Sequence, residues 1–442
     1  MRTLFILFLI FVSPTISLAN NLDVGFLSPS GVNKKFVNKV DFSMINVYNE
    51  SQLEENLKIA KDNNLTLLLD LGPSLNTSRE KNDIHVTYRD SENIEKNKIL
   101  APLDKNKLRK LPSQEELNIK ISKYIPLIQK YRNNISAIFL ADEPYLNGLN
   151  KSDLESVAKS TRKILNDNNL SNVKIGVIFA SAMFNKSFAK NLDSLSTEYV
   201  ETIDKHYKEI LEKKQHNQAT NEEKEWLEII EKNRLTTYDS AGNIYTDGGI
   251  PKGFDIYSFD FYLSTILLDN LYNKIPSWLA AQRIEDTCNV FNGKTMQDIK
   301  SELSFFRTGA MNTTHDDINK DKEILDSLYS CRMGVVLQLL ENEIKTTSPN
   351  SEVILISESS SNGVMEFDPQ GNVKSGQPEK LIELRVLNEV KRAVNLMKET
   401  KHKNITGVMF FLFNDEYDKT IKINIGGAAS MPSVLNEIYS LK

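Results

Sequence analysis

Two glutamates stand at the carboxyl ends of short apolar runs, where a carboxyl group packs poorly and can do chemistry. Glu143 follows the apolar run 138–141 and Asp142, and Glu358 closes the run 353–357. Both runs have the composition of buried β-strands. Cleavage of an O-glycosidic bond needs two carboxyl groups, one protonated and one ionised. The two strand ends therefore predict a hydrolytic site, provided that the fold brings them together.

The elements that would position these glutamates alternate between strands and helices, as in parallel α/β folds. We predict strands at 23–27, 42–48, 65–71, 138–145, 173–180, 254–262, 353–358 and 405–413. Capping-box spacing predicts two helix starts, at Ser113 with Glu116 and at Ser152 with Glu155. Eight strands with helices between them predict a single (β/α)8 TIM barrel over residues 20–442.

Three long polar stretches interrupt this alternation. They cover about 74–112 after the third strand, 185–252 after the fifth and 263–317 after the sixth. Each is much longer than an ordinary connection, so we predict insertions in the barrel. For 185–252, a solvated helical hairpin and a lid over the substrate both remain open.

The amino-terminal residues predict export. Residues 1–19 join a short positive end to an apolar run at 4–12 and a small-residue cleavage site at 17–19, which is typical of a signal peptide. The destination is the periplasm or the medium. No later apolar stretch is long enough to span a membrane. A net charge of -5 and a pI near 5.8 give no reason to expect nucleic-acid binding.

Cysteine and histidine usage bounds the redox and metal chemistry. Cys288 and Cys331 are the two cysteines, and a disulfide and two buried thiols both remain open. Five scattered histidines without HxH, HExxH or CxxC motifs predict no metal site. We also expect no cofactor.

Alternation along the strands selects the residues that face the barrel interior. One parity of the fourth strand contains Phe139, Ala141 and Glu143, and one parity of the seventh contains Ile354, Ile356 and Glu358. If these sets point inward, both glutamates meet at the top of the barrel, where (β/α)8 enzymes have their active sites.

This arrangement resembles the retaining glycoside hydrolases of the (β/α)8 group called clan A. The resemblance implies that Glu143 is the general acid/base and Glu358 the nucleophile. It implies that Tyr262 hydrogen-bonds the nucleophile and that Phe413 stands where the clan commonly has a tryptophan beneath the sugar. Asp142 occupies the place of an asparagine that contacts the sugar 2-hydroxyl, which is a departure from the clan.

The two roles require different protonation states. The negative charge of Asp142 should raise the pKa of Glu143 and favour its role as proton donor. Hydrogen bonds, with Tyr262 as a candidate donor, should hold Glu358 ionised.

Asp260 and Asn414 are further candidates for sugar contacts, because Asp260 lies near the carboxyl end of the sixth predicted strand and Asn414 follows the eighth. The predicted function is therefore an exported retaining glycosidase with a carbohydrate substrate. The alternative is a non-catalytic carbohydrate-binding or surface-interaction barrel, because acids at strand ends can also be helix caps or salt-bridge partners.

Overall fold

A computed structural model of the chain describes residues 22–78, 85–89, 95–99, 109–145, 149–180, 208–221, 249–260, 313–364, 379–399, 404–418 and 423–442, with shorter pieces at 184, 223–224, 227, 301–304 and 402. The predicted signal peptide lies outside the described residues. So do most of the predicted insertions 185–252 and 263–317.

Eight parallel strands close into a barrel and pair in chain order. They are β1 (Asp23–Leu27), β2 (Phe42–Asn46), β3 (Thr66–Asp70), β4 (Ile135–Asp142), β5 (Lys174–Ala180), β6 (Ile256–Asp260), β7 (Glu352–Glu358) and β8 (Ile405–Phe411). The barrel closes where β8 pairs with β1, from Asp23 opposite Gly407 to Leu27 opposite Phe411. The predicted TIM barrel is confirmed.

Helices surround the strands. They include α1 (Glu50–Asp62), α2 (Gln114–Ser122), α3 (Ile125–Lys130), α4 (Lys151–Asp167), α5 (His315–Thr347), α6 (Glu379–Glu399) and α7 (Pro432–Tyr439). The capping box of Ser113 and Glu116 at the start of α2 is confirmed. The predicted cap at Ser152 is wrong, because Asn150 is the N-cap of α4 and accepts from the backbone N–H of Asp153 at 2.8 Å.

Two apolar cores hold the barrel. The larger lies between strands and helices, and the smaller fills the barrel interior with side chains that include Phe42, Phe139 and Met409. The interior rings need room on neighbouring strands. A Cβ atom at Gly25 would lie 2.5 Å from the ring of Phe42, and one at Gly176 would lie 2.5 Å from that of Phe139. These glycines let two aromatic rings fill the barrel at native packing density.

The described part of the predicted insertion after β3 has its own secondary structure. Thr77–Ser78 pairs antiparallel with Arg109–Lys110. His85–Arg89 pairs antiparallel with Glu95–Ile99, with His85 opposite Ile99. The predicted insertion at 74–112 is therefore partly a pair of two-stranded ladders beyond the carboxyl end of β3.

Cys331 in α5 is disulfide-bonded, which decides between the two readings left open by the sequence. The other cysteine of the chain, Cys288, lies outside the described residues. Of the helices within the described ranges, none is both long and apolar enough to cross a membrane.

Candidate active site

Five carboxyl side chains gather at the carboxyl-terminal edge of the barrel, the edge at which TIM-barrel enzymes bind substrate. They are Asp70 at the end of β3, Asp142 and Glu143 at the end of β4, Asp260 at the end of β6 and Glu358 at the end of β7. The fold thus brings to one edge four of the predicted site residues, together with Asp70, which the third predicted strand contributes.

A β-bulge near the end of β4 interrupts the alternation of its side chains. Phe139, in the interior core, pairs with Gly176 of β5, but the next pair joins Asp142 to Ile178. Three residues of β4 therefore span two of β5. Ala141 packs in the outer core as a result. Bulges of this kind re-aim side chains beside active sites.

Glu143 is turned by its own backbone rather than by strand alternation. Its φ of 44° lies in the left-handed region, and its N–H donates to the carbonyl oxygen of Ile178 at 2.9 Å. The predicted shared parity of Phe139, Ala141 and Glu143 is wrong, because the bulge and this turn intervene. A non-glycine residue in this conformation costs about 1 kcal/mol or more and commonly marks a functional site.

The carboxyl of Glu143 forms a hydrogen bond with the carboxyl of Asp260. Burial first, and then the charge and hydrogen bond of Asp260, raise the pKa of Glu143 well above its usual range. The predicted direction is confirmed, but the neighbouring charge responsible is Asp260 rather than Asp142.

Two further acids lie beside this pair. The side chain of Asp142 is exposed to solvent at the mouth. Desolvation by the surrounding protein, followed by the charges of Glu143 and Asp70, raises the pKa of Asp142. Asp70 is buried and accepts from the N–H of Gly72 at 2.8 Å. Burial raises the pKa of Asp70 to about 7.

Glu358 is 0% exposed and points inward with the parity of Ile354 and Ile356, as predicted. Its Oε1 accepts from Ser360, at 3.0 Å from N–H and 2.5 Å from Oγ–H. Within the described part of the chain, Oε2 has no hydrogen-bond partner.

The environment of Glu358 contradicts the expectation of an ionised carboxylate. Burial, and to a smaller extent the charge of Glu389 on α6, outweigh the Ser360 hydrogen bonds and raise its pKa to about 8. Glu389 is itself buried and accepts from Nη2 of Arg392 at 2.8 Å. The expected hydroxyl donor, Tyr262, lies outside the described residues.

The ring of Phe413 is buried and is not open for a sugar to stack on. Its ring is 0% exposed, with its centroid 4.9 Å from that of Phe26 and 4.7 Å from that of Phe36. The strand ends at Phe411, and the carbonyl of Phe413 accepts from the N–H of Ala429 at 2.8 Å, so the chain has left the β8 ladder before Phe413. This placement corrects the prediction.

Asn414 joins β8 to the loop after β1. Its Oδ1 accepts from Nδ2 of Asn33 at 2.7 Å, and its own Nδ2 donates to Oγ of Ser30 at 3.2 Å. These bonds give Asn414 a structural role. The sugar contact from Asn414 stays a prediction.

Two aromatic residues at this edge were not singled out from the sequence. Phe411 packs against the interior core and pairs in register with Glu358. Tyr48 follows β2 and is 54% exposed, and its hydroxyl oxygen accepts from Nδ2 of Asn46 at 3.3 Å. The predicted second strand included Tyr48, so its position beyond the strand end was missed. The alternation of Met409 and Phe411 in β8 could have identified Phe411.

Among the described residues, no group of three or more histidine, cysteine, aspartate or glutamate side chains is arranged to hold a metal ion.

Comparisons with known proteins give distant likenesses. No protein-family model matches the chain, and no curated protein matches it significantly. Among solved structures, the chain is similar to PbGH5A, a glycoside hydrolase family 5 enzyme from Prevotella bryantii (TM-score 0.39, 9% identity, 96% of each chain). It is also similar to a beta-glucosidase from Exiguobacterium marinum (TM-score 0.37, 10% identity, 92% of this chain and 86% of that one). A third similar structure is the cellulose synthase subunit Z of Clostridioides difficile (TM-score 0.33, 13% identity, 94% of this chain and 99% of that one). The fold assignment rests on the closed parallel barrel itself.

Proposed function

We propose that the protein is an exported glycoside hydrolase that cleaves O-glycosidic bonds with retention, using Glu143 as acid/base and Glu358 as nucleophile. One observation carries this proposal. Glu143, which has a left-handed backbone and a raised pKa, and Glu358 both stand at the carboxyl-terminal edge of the barrel, Glu143 directly after β4 and Glu358 at the end of β7.

Glu143 suits the first half of the reaction. A glycosidic oxygen must gain a proton as its bond to the anomeric carbon breaks, and the donor must still carry that proton at the working pH. The raised pKa of Glu143 meets this need. In the second half, Glu143 would take a proton from the attacking water.

Glu358 suits the role of nucleophile through Oε2, which has no hydrogen-bond partner among the described residues. Oε1 is held by Ser360, and Oε2 is the oxygen that could attack the anomeric carbon. Attack requires the ionised form, whereas burial raises the pKa of Glu358 to about 8. We therefore expect kcat/KM to rise with pH up to about 8 and to fall only where Glu143 loses its proton.

The mouth of the barrel offers contacts for a sugar. Tyr48 presents an exposed ring and Phe411 a partly buried one, and aromatic faces pack against the apolar faces of sugars. The exposed carboxyl of Asp142 could accept hydrogen bonds from sugar hydroxyls.

Export to the periplasm or the medium is supported by the signal-peptide pattern of residues 1–19 and by the disulfide at Cys331. Disulfides persist mainly in oxidising compartments outside the cytosol.

A second candidate is a carbohydrate-binding barrel without turnover. The observation that favours it is the complete burial of Glu358, because a substrate could reach Oε2 only after neighbouring groups move. The aromatic and acidic residues at the mouth would then serve binding alone.

The test compares the chain from residue 20 with its Glu358→Ala variant on aryl β-glycosides and oligosaccharides. Glu55→Ala on the exposed face of α1 is the matched control. The proposal predicts turnover by the parent and the control, loss in Glu358→Ala, and partial rescue by azide, which replaces the missing nucleophile. Glycan binding by all three proteins without turnover in any would support the second candidate.

A further inference from the structure

Glu143 and Asp260 meet across the end of β5. Asp260 is the last residue of β6, shares the inward parity of Ile256 and pairs in register with Ala180 of β5. On the other edge of β5, the backbone N–H of Glu143 donates to Ile178. The two carboxyls therefore reach each other over a single strand.

A hydrogen bond between two carboxyl groups needs a proton, because two carboxylates offer only acceptors and repel each other. Asp260 is 8% exposed, so little water is available to separate the charges. Two carboxyls in such contact titrate as a pair and hold one proton between them over a wide pH range.

We propose that Glu143 and Asp260 share one proton, and that Asp260 is a positioning residue that keeps Glu143 protonated rather than a sugar contact. The sharing depends only on the geometry of the pair. Its use in catalysis rests on the proposed glycosidase function.

The other titratable groups at the neighbouring strand ends have different surroundings. Asp142 on β4 is exposed, and Asp70 on β3 accepts a hydrogen bond from the N–H of Gly72. Glu358 on β7 is held by Ser360. The carboxyl that bonds to Glu143 is that of Asp260.

The pair would act as a reservoir for one proton. Substrate binding would open the hydrogen bond and turn the protonated oxygen of Glu143 to the glycosidic oxygen. As the anomeric C–O bond breaks and Glu358 forms its bond to that carbon, the proton passes to the leaving group, and both acids are ionised. Their repulsion makes Glu143 a stronger base. Glu143 then takes a proton from water as the water oxygen replaces Glu358, which restores the shared proton.

An infrared measurement tests the shared proton without turnover. Protein with 13C-labelled glutamate carboxyls is compared at neutral pH as wild type, Asp260→Asn and Glu143→Gln. The asparagine amide would donate to Glu143 and favour its ionised form. We expect Asp260→Asn to lose the same protonated-glutamate C=O band that Glu143→Gln loses. A band retained in Asp260→Asn would overturn the proposal, because burial alone would then hold the proton.

Controls separate this result from loss of the fold. Asp62→Asn makes the same chemical change at the exposed end of α1 and should keep the band. Far-UV circular dichroism checks each variant. Should Asp260→Asn fail to fold, Asp260→Ser is the second variant, and it should lose the band as well.

Kinetics test the role of the pair on any aryl glycoside that is hydrolysed. For Asp260→Asn we expect kcat/KM to fall about 100-fold on a poor leaving group and less than about tenfold on dinitrophenolate, which needs no acid. The alkaline limb of the pH profile should move down by about one pH unit or more. A rise in KM that is equal for both leaving groups, with an unmoved profile, would make Asp260 a sugar contact. If no glycoside is hydrolysed, the proposed function fails while the infrared result still decides the shared proton.

Discussion

Replacing Glu358 with glutamine should change how the stability of the barrel depends on pH. The folded chain holds the carboxyl at 0% exposure, and burial raises its pKa from 4.5 to about 8. The folded protein therefore binds this proton more tightly than the unfolded chain does. The resulting stabilisation is full below about pH 4.5 and is lost as the pH rises to about 8. Each tenfold change in proton affinity is worth about 1.4 kcal/mol, so the wild type should lose about 5 kcal/mol of unfolding free energy over that range.

Glu358→Gln should escape this loss, because an amide does not ionise. The amide also places a new N–H near Oε2, which lacks a partner among the described residues, and this costs about 1–3 kcal/mol at every pH. The informative quantity is therefore the pH dependence of the difference between the proteins.

Urea unfolding followed by far-UV circular dichroism at pH 5, 7 and 9 measures that difference, with Glu55→Gln on α1 as the exposed control. Between pH 5 and 9, we expect the free energy of unfolding of the variant to rise by several kcal/mol relative to that of the wild type. The free energy of unfolding of the control should keep a constant difference from that of the wild type. A variant that stays parallel to the wild type would refute the account of Glu358 as a buried carboxyl with a raised pKa.

Three further predictions concern the rest of the site. Phe413→Ala should cost about 3–5 kcal/mol in urea unfolding, because it leaves a cavity against Phe26 and Phe36; a cost below about 1 kcal/mol would contradict its buried position. Asn414→Ala should cost about 1–2 kcal/mol and leave KM within about twofold, and a large rise in KM would show that it contacts the sugar. The pH profile of kcat/KM should have its acidic limb near pH 8 from Glu358, and a limb near pH 4.5 would show that its pKa is not raised in solution.

The barrel could be predicted from the sequence because its signals are local. Each strand is a short apolar run, and alternation correctly places Ile354, Ile356 and Glu358 on the inward face. The capping box of Ser113 and Glu116 is likewise a contact between close neighbours in the chain.

The parts of the site that were missed depend on contacts between distant segments. The bulge in β4 is defined by pairing with β5, so alternation alone misplaces Ala141. Phe413 has the parity of Phe411, but the chain turns out of the ladder between them to pack against β1.

The pKa shifts of the site also depend on contacts between distant segments. The sequence assigned the pKa shift of Glu143 to its chain neighbour Asp142, whereas the bonded partner, Asp260, is 117 positions away. Burial of Glu358 likewise depends on residues from other elements.

Covalent trapping tests the central claim most directly. A 2-deoxy-2-fluoro glycoside matched to any substrate that is hydrolysed should form a long-lived glycosyl-enzyme, and peptide mass spectrometry should place the sugar on Glu358. A sugar on Asp260, or hydrolysis by a protein that never becomes labelled, would contradict the proposed roles of Glu143 and Glu358.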